Sequence, residues 1–310
     1  MENYQKGRVT GSVGGLFEVI TDGEERRLFC RARGNLRRGE GRVLVGDRVT
    51  VEISPDRKEE CVIAEIGERQ NSLIRPPLAN LDALYVVLAV LDPAPMPETT
   101  DKLLAIAEHN NIPVTVVLTK TDLTAGEAEE LAALYRGAGY PVFCVSTYKD
   151  EGIDDLRAHI AATLAGGKIA AFAGASGVGK SSLINALFPT LALQTGEISE
   201  KIGRGKNTTR TTALYPVFGD ASGGYLADTP GFSMLDFIRF DFMGWQDLPF
   251  AFREFAPYLG KCRYADCNHV KEEECAVRTA VAAGEIAPSR YESYASLYTV
   301  LKAKNPYGEK

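Results

Sequence analysis

Eight residues constrain this chain more than any others: Gly174-Ala175-Ser176-Gly177-Val178-Gly179-Lys180-Ser181. They fit GxxxxGK[ST], follow the apolar run Lys168 to Ala173 and precede a helical run, Ser181 to Leu187. A strand that enters a glycine-rich turn and leaves it as a helix points successive backbone N–H groups at one spot, where they hold phosphate oxygens. The motif predicts Gly174, Ala175, Ser176, Gly177, Val178, Gly179, Lys180, Ser181 and Ser182 around a nucleotide. The Lys180 ammonium is expected at the β- and γ-phosphates and the Ser181 hydroxyl on Mg²⁺. A second apolar run, Tyr225 to Ala227, leads into Asp228-Thr229-Pro230-Gly231. An Asp at a strand end is the expected carboxylate on the Mg²⁺ side, and the Gly231 N–H is placed to meet the γ-phosphate.

The rest of the central region reads as α/β. Ala83 to Val90 is a continuous apolar run of buried-strand type. Ile112 to Leu118 and Pro141 to Val145 are further strand candidates, alternating with helical stretches at Thr99 to Asn110, Gly126 to Gly137 and Ile153 to Leu164. Such alternation predicts a mainly parallel sheet. Thr119-Lys120-Thr121-Asp122 ends one strand and resembles the guanine-specifying [NT]KxD element of GTPases. An ionised Asp122 can accept hydrogen bonds from guanine N1–H and the exocyclic amine, a pair that adenine lacks. Lys120 would lay its stem along the base, and Thr119, where Asn is commoner, is expected to loosen the link to the phosphate loop. Cys144-Val145-Ser146-Thr147 fits the remaining base loop, with Ser146 and Thr147 as nucleotide contacts.

The base motif precedes the phosphate motifs, the reverse of the usual GTPase order. Joining old termini and cutting elsewhere preserves a fold whose ends lie close together. The central region, 72–235, therefore reads as a circularly permuted P-loop GTPase domain. Its switch segment, 194–234, is joined directly to the cysteine-bearing region that follows, which predicts that nucleotide-dependent movement pulls on that region.

Residues 1–68 read as all-β, with short runs at Gly7 to Val13, Leu16 to Ile20 and Asp47 to Ile53 separated by turn signals. That density of strands suits an OB-like barrel. The whole chain of 310 residues carries a net charge of −6, which argues against a generic polyanion binder. The average conceals residues 26–42, where seven arginines (26, 27, 31, 33, 37, 38 and 42) face one acid, Glu40. The segment is either a solvated loop or a surface for nucleic-acid phosphates. The basic residues of the switch segment, Lys201, Arg204, Lys206 and Arg210, are open to the same two readings. Asn71 to Asn80 reads as a linker. No apolar run is long enough to span a bilayer and Met1 to Thr10 has no signal-peptide core, so a cytoplasmic chain without membrane contact, and a monomer, is expected.

From about 236 the strand signal stops, and 236–310 reads as a mainly helical zinc-binding domain. Cys262, Cys267, His269 and Cys275 form a Cys₃His set within fourteen residues, suited to closed tetrahedral, structural Zn²⁺. Cys30, Cys61 and Cys144 read as small core residues, and His109 and His159 as solvated.

A barrel, a permuted GTPase and a Cys₃His module in this order resemble the small ribosomal subunit biogenesis GTPases of the RsgA/YjeQ type. The resemblance covers nearly the whole chain and includes Asn71 to Pro77, Thr119 to Asp122, Gly174 to Asn185, Gly205 to Arg210, Asp228 to Gly231 and the zinc spacing. It implies a bacterial cytoplasmic GTPase that binds the 30S subunit and its 16S rRNA near the decoding centre and assists late maturation. It also implies slow GTP hydrolysis to GDP and phosphate, stimulated by the subunit. The family carries His before the Thr-Thr of switch I, where this chain has Asn207, and Phe232 stands where many GTPases place Gln. Asn207 can orient water but not take its proton, and Thr208 or Thr209 is expected on Mg²⁺. Two other readings compete: a GTP-gated RNA-binding or anti-association factor with incidental hydrolysis, and an ATP-dependent P-loop enzyme, which Asp122 disfavours.

Overall fold

Alternation of period two builds the N-terminal region of the computed structural model. The structure describes residues 4–36, 41–54, 61–73, 77–124, 126–189, 191, 212–219, 221–228 and 243–304. Strands β1 (Tyr4–Val13), β2 (Leu16–Thr21), β3 (Arg27–Ala32), β4 (Arg48–Ile53) and β5 (Cys61–Ile66) come first. In β3, Leu28, Cys30 and Ala32 face inward while Arg27, Phe29 and Arg31 face water. The strands pair in the order β1-β2-β3-β5-β4, and β4 pairs back to β1. The ring is thereby closed into the expected barrel, of five strands and with one parallel pair, β3–β5. Val9, Val19, Val51 and Ile63 fill it and are fully buried.

The barrel belongs to a compact unit of residues 1–83, 158–171 and 188–232. That unit also holds β11 (Ile169–Ala173) up to Ala171, β12 (Ala213–Pro216) and β13 (Tyr225–Asp228). β13 runs parallel to β11 and antiparallel to β12, and β12 meets β1 at Gly11↔Ala213. The sequence shows no signal for β12: its four residues end in proline and have no period of their own. The expected linker is also more ordered than its composition suggests. β6 (Ser72–Leu73) and β7 (Leu78–Ala79) form an antiparallel ladder. The side chain of Asn71 bridges both backbone groups of Leu81 at 2.9 Å, and that of Asn80 accepts the Gln70 N–H at 2.9 Å.

The second unit takes residues 84–157, 172–187 and 233–310. Its strands β8 (Ala83–Ala89), β9 (Val114–Thr119) and β10 (Val142–Cys144) are parallel, in the order β10-β9-β8. Every residue of β8 and β9 is buried, as a parallel sheet covered on both faces requires. Helices α1 (Pro97–His109), α2 (Glu127–Gly137), the start of α3 (Ile153–Leu164) and α4 (Lys180–Leu187) follow their strands. The C-terminal part adds α5 (Ala276–Ala282) and α6 (Pro288–Lys304). Phe252, Phe255 and Tyr294 pack ring against ring at centroid separations of 4.8–5.4 Å. Arg290 of α6 is fully buried between Asp101 of α1 and Glu254, the latter at 2.7 Å. Arg253 reaches Glu108 of α1 at 2.7 Å. These ion pairs seat the C-terminal helices on α1. No helix among the described residues is long and apolar enough to cross a membrane.

Candidate nucleotide and metal sites

The phosphate loop leaves β11 through Gly174, where a Cβ would lie 2.1 Å from the Val87 carbonyl oxygen of β8. Only glycine lets the loop turn that close to the neighbouring strand. Gly177 and Gly179 take φ of +82° and +89°, and α4 begins at Lys180. The side chain of Lys180 folds back over the loop and donates to the carbonyls of Gly174 and Ala175 at 2.8 and 2.7 Å. Burial lowers its pKa. An ammonium held over a glycine-rich turn at the start of a helix is the arrangement that receives polyphosphate. Ser176, Ser181 and Ser182 are exposed beside it.

The base motif meets this loop through a hydroxyl. Thr119 is buried and donates to the Val178 carbonyl at 2.6 Å. The expected loosening of the link is thus not seen: a threonine hydroxyl reaches where an asparagine amide would. Lys120 takes φ of +59°, which turns the chain from β9 into the short 3₁₀ turn Thr121–Leu123, and its ammonium donates to the Asp92 carbonyl. Asp122 is half-buried, and its Oδ1 accepts the Ser146 hydroxyl at 2.6 Å. A carboxylate has about four lone-pair sites, so this bond orients Asp122 without exhausting it. Ser146 is itself fixed by the Lys149 N–H at 3.1 Å, while Thr147 is exposed. Phosphate loop, Thr119 to Asp122 and Ser146 all lie in the second unit.

The four sulfur and nitrogen atoms offered by Cys262, Cys267, His269 and Cys275 lie within 4.8 Å of one another. Cys262 and Cys275 sulfurs are 3.9 Å apart, and each is 3.4 Å from His269 Nδ1. A zinc tetrahedron has edges of roughly 3.6–3.8 Å, so Cys262, His269 and Cys275 stand close to three of its corners, with the Cys267 sulfur within 4.8 Å of them. Burial pushes the Cys267 thiol up to about 12 and raises Cys275, so these sulfurs need a cation to stay thiolates. Burial lowers His269, which keeps the imidazole in its neutral, ligating form. The Ala276 N–H donates to the Cys262 sulfur at 3.3 Å. Tyr291 and Tyr294 of α6 donate to the His269 and Asn268 carbonyls at 3.0 and 2.7 Å, fixing the loop from outside. Burial would raise Glu272, but the N–H groups of Asn268, Val270 and Lys271 hold it down at about 2.

The RsgA GTPase family matches residues 66–238, and the RsgA N-terminal domain matches residues 6–63. The chain belongs to the RsgA GTPase family. It is 40% identical to the small ribosomal subunit biogenesis GTPase RsgA of Geobacillus thermodenitrificans, over 97% of this chain and 99% of that one. It is 41% identical to the RsgA of Moorella thermoacetica, over 93% and 94%. Among solved structures, YjeQ from Thermotoga maritima superposes with a TM-score of 0.79 at 34% identity, covering 96% of this chain and 98% of the other. YloQ, described as a circularly permuted GTPase, gives 0.76 at 32%, covering 98% and 96%. Membership in the RsgA family makes the chain a GTP hydrolase with a permuted GTPase domain, as the motif order implies.

Within this RsgA-family chain, Asn207, Thr208, Thr209, Thr229, Pro230, Gly231 and Phe232 lie outside the described residues, as do Lys201, Arg204, Lys206, Arg210, Arg37, Arg38 and Glu40. Asp228 closes β13 opposite Ala213, and its side chain is likewise outside the described set. Two positioning residues carry no motif. Arg157 donates to the Leu187 and Ala186 carbonyls at 3.1 and 2.8 Å, capping the C-terminus of α4. Asp92 lies in an unpatterned loop, yet its carbonyl holds Lys120. On the barrel, Arg27 and Arg33 are paired with Glu18 and Glu52 at 2.8 and 2.6 Å. Arg26, Arg31 and Arg42 have no ion-pair partner among the described residues, so the basic surface is smaller than the arginine count implies.

Proposed function

We propose that this GTPase acts on the small ribosomal subunit. It binds 16S rRNA in the 30S particle, assists its late maturation, and hydrolyses GTP to GDP and phosphate faster on the subunit than alone. The observation that supports the reading is the union, in one chain, of a phosphate loop bonded to the Thr119–Asp122 base motif with a closed barrel next to the exposed Arg26, Arg31 and Arg42. The assignment divides the chain into an RNA-binding barrel at 1–68, the permuted GTPase domain at 72–235 and the zinc-binding domain at 236–310. Lys180 and the loop N–H groups hold the β- and γ-phosphates. Ser181, Asp228 and one of Thr208 and Thr209 serve Mg²⁺, which offsets phosphate charge when bound. The Gly231 N–H meets the γ-phosphate, and Asn207 orients the attacking water. Zinc is structural, since its four ligands leave no open position. The working form is a cytoplasmic monomer.

Phosphoryl transfer depends mainly on positioning and charge stabilisation, so a chain without a general base in its switches retains hydrolysis at a low rate. Single-turnover GTP hydrolysis with and without 30S subunits tests the proposal. Slow turnover alone and a large rise on adding subunits is the expected result. Fast turnover that subunits do not change would overturn it.

A further inference from the structure

β1 is buried along both faces from Gly7 to Gly11. Val9 lies in the barrel core, so strand alternation turns its neighbour Arg8 to the opposite face. There Arg8 lines a cavity of about 240 Å³ together with Asp22, Glu25, Arg48, Ser222 and Tyr225. All of these residues belong to the first unit. Arg8 is only 7% exposed, and its Nε and Nη1 have no hydrogen-bond partner. Its guanidinium stands 5.5 Å from the centroid of the Tyr225 ring. Two nearby acids, Asp82 and Asp22, favour the charged form of Arg8 through space but bond elsewhere: Asp22 accepts from Arg48 at 2.8 Å, and Asp82 accepts the Ile169 N–H at 2.8 Å. Glu25 is a third carboxylate nearby, in the cavity lining. Burial, then the charge of Arg48 directly opposite on β4, lowers Arg8 to about 10, so it stays charged at neutral pH. A buried cation with unanswered donors is costly, and an aromatic face offsets only part of that cost.

We propose that this cavity binds a phosphate group, with Arg8 at its floor and Arg48 and the Tyr225 hydroxyl at its sides. The donors come from three strands, β1, β4 and β13, and approach from different directions. That suits a tetrahedral oxyanion better than a planar carboxylate, which a single guanidinium satisfies edge-on. Inorganic phosphate and an RNA phosphodiester present the same group, and the cavity has room for either. Since β1 and β4 are barrel strands and β13 ends at Asp228, the bound group bonds the barrel to the strand that enters the Asp228-Thr229-Pro230-Gly231 segment.

The test uses the full chain with its phosphate loop saturated by GDP and Mg²⁺. Thermal melting is followed against inorganic phosphate, with chloride at matched ionic strength as control, and against a short RNA oligonucleotide. Phosphate is expected to raise the wild-type midpoint by several degrees, saturably, and to leave Arg8→Met unmoved. GDP affinity should be the same in both. Without phosphate, Arg8→Met should melt no lower than wild type, because it removes an unpaired buried charge. Should it melt lower, calorimetric phosphate titration of Arg48→Met decides: a lost heat signal supports the site and an unchanged affinity overturns it. A shift with RNA alone that Arg8→Met abolishes identifies the phosphodiester as the source. A response equal in wild type and Arg8→Met, or none to either probe, overturns the proposal.

Discussion

Thr119 ties the base motif to the phosphate loop of the candidate nucleotide site through one hydroxyl, and its replacement isolates that link. In Thr119→Val the Val178 carbonyl, which accepts at 2.6 Å, loses its donor while staying buried. An unsatisfied buried acceptor costs about 1–3 kcal/mol, so urea unfolding should show a loss in that range and GDP release should quicken. Thr119→Ser keeps the hydroxyl and should recover most of both. Lys180→Ala should abolish GTP binding or hydrolysis, because it removes the ammonium that folds over the loop. Asp122→Asn should reduce the preference for GTP over ATP by about 10- to 100-fold in competition binding, the worth of a charged hydrogen-bond pair. Ser146 touches the same carboxylate, so Ser146→Ala should shift selectivity in the same direction by less.

At the scale of elements, the C-terminal module tests whether ionic contacts or the metal matter more to its seating on α1. Arg290→Met strands Asp101 and Glu254 as buried carboxylates without their cation, which costs about 3–5 kcal/mol. The loss should appear as a lower midpoint in chemical denaturation. Stripping the proposed zinc with a chelator should expose three titratable thiols, Cys262, Cys267 and Cys275, and lower the melting midpoint, with one zinc per chain restoring it. Elements with a strong period or motif are legible in the sequence. β8 and β9 announce themselves by unbroken apolar runs, and α4 by the glycines before it. β12 was not legible because four residues ending in Pro216 define no period, and the ladder of β6 and β7 because its order comes from Asn71 and Asn80 side chains bonding across the turn. Arg157 and Arg8 escaped for a related reason: their roles depend on carbonyls, rings and cavities supplied by residues far away in sequence.

For the whole molecule, net charge and useful charge differ. The chain totals −6, and even its arginine-rich segment is partly neutralised, since Arg27 and Arg33 are paired with Glu18 and Glu52. Surface pairs of this kind are worth little to stability, but they leave fewer cations for the proposed polyanion contact. The proposed rRNA contact therefore falls first to Arg26, Arg31 and Arg42. Each phosphate neutralised releases counterions and contributes about 0.7–0.9 to the slope of log affinity against log salt. Binding of the full chain to 30S subunits, measured across a salt series, should weaken steeply. Arg26→Ala and Arg31→Ala should each flatten the slope by about 1, whereas Arg33→Ala should leave it nearly unchanged. If Arg33→Ala flattened the slope as much as Arg31→Ala, the Glu52 pair would be open on the subunit. If none of the three changed it, the barrel face would not carry the contact.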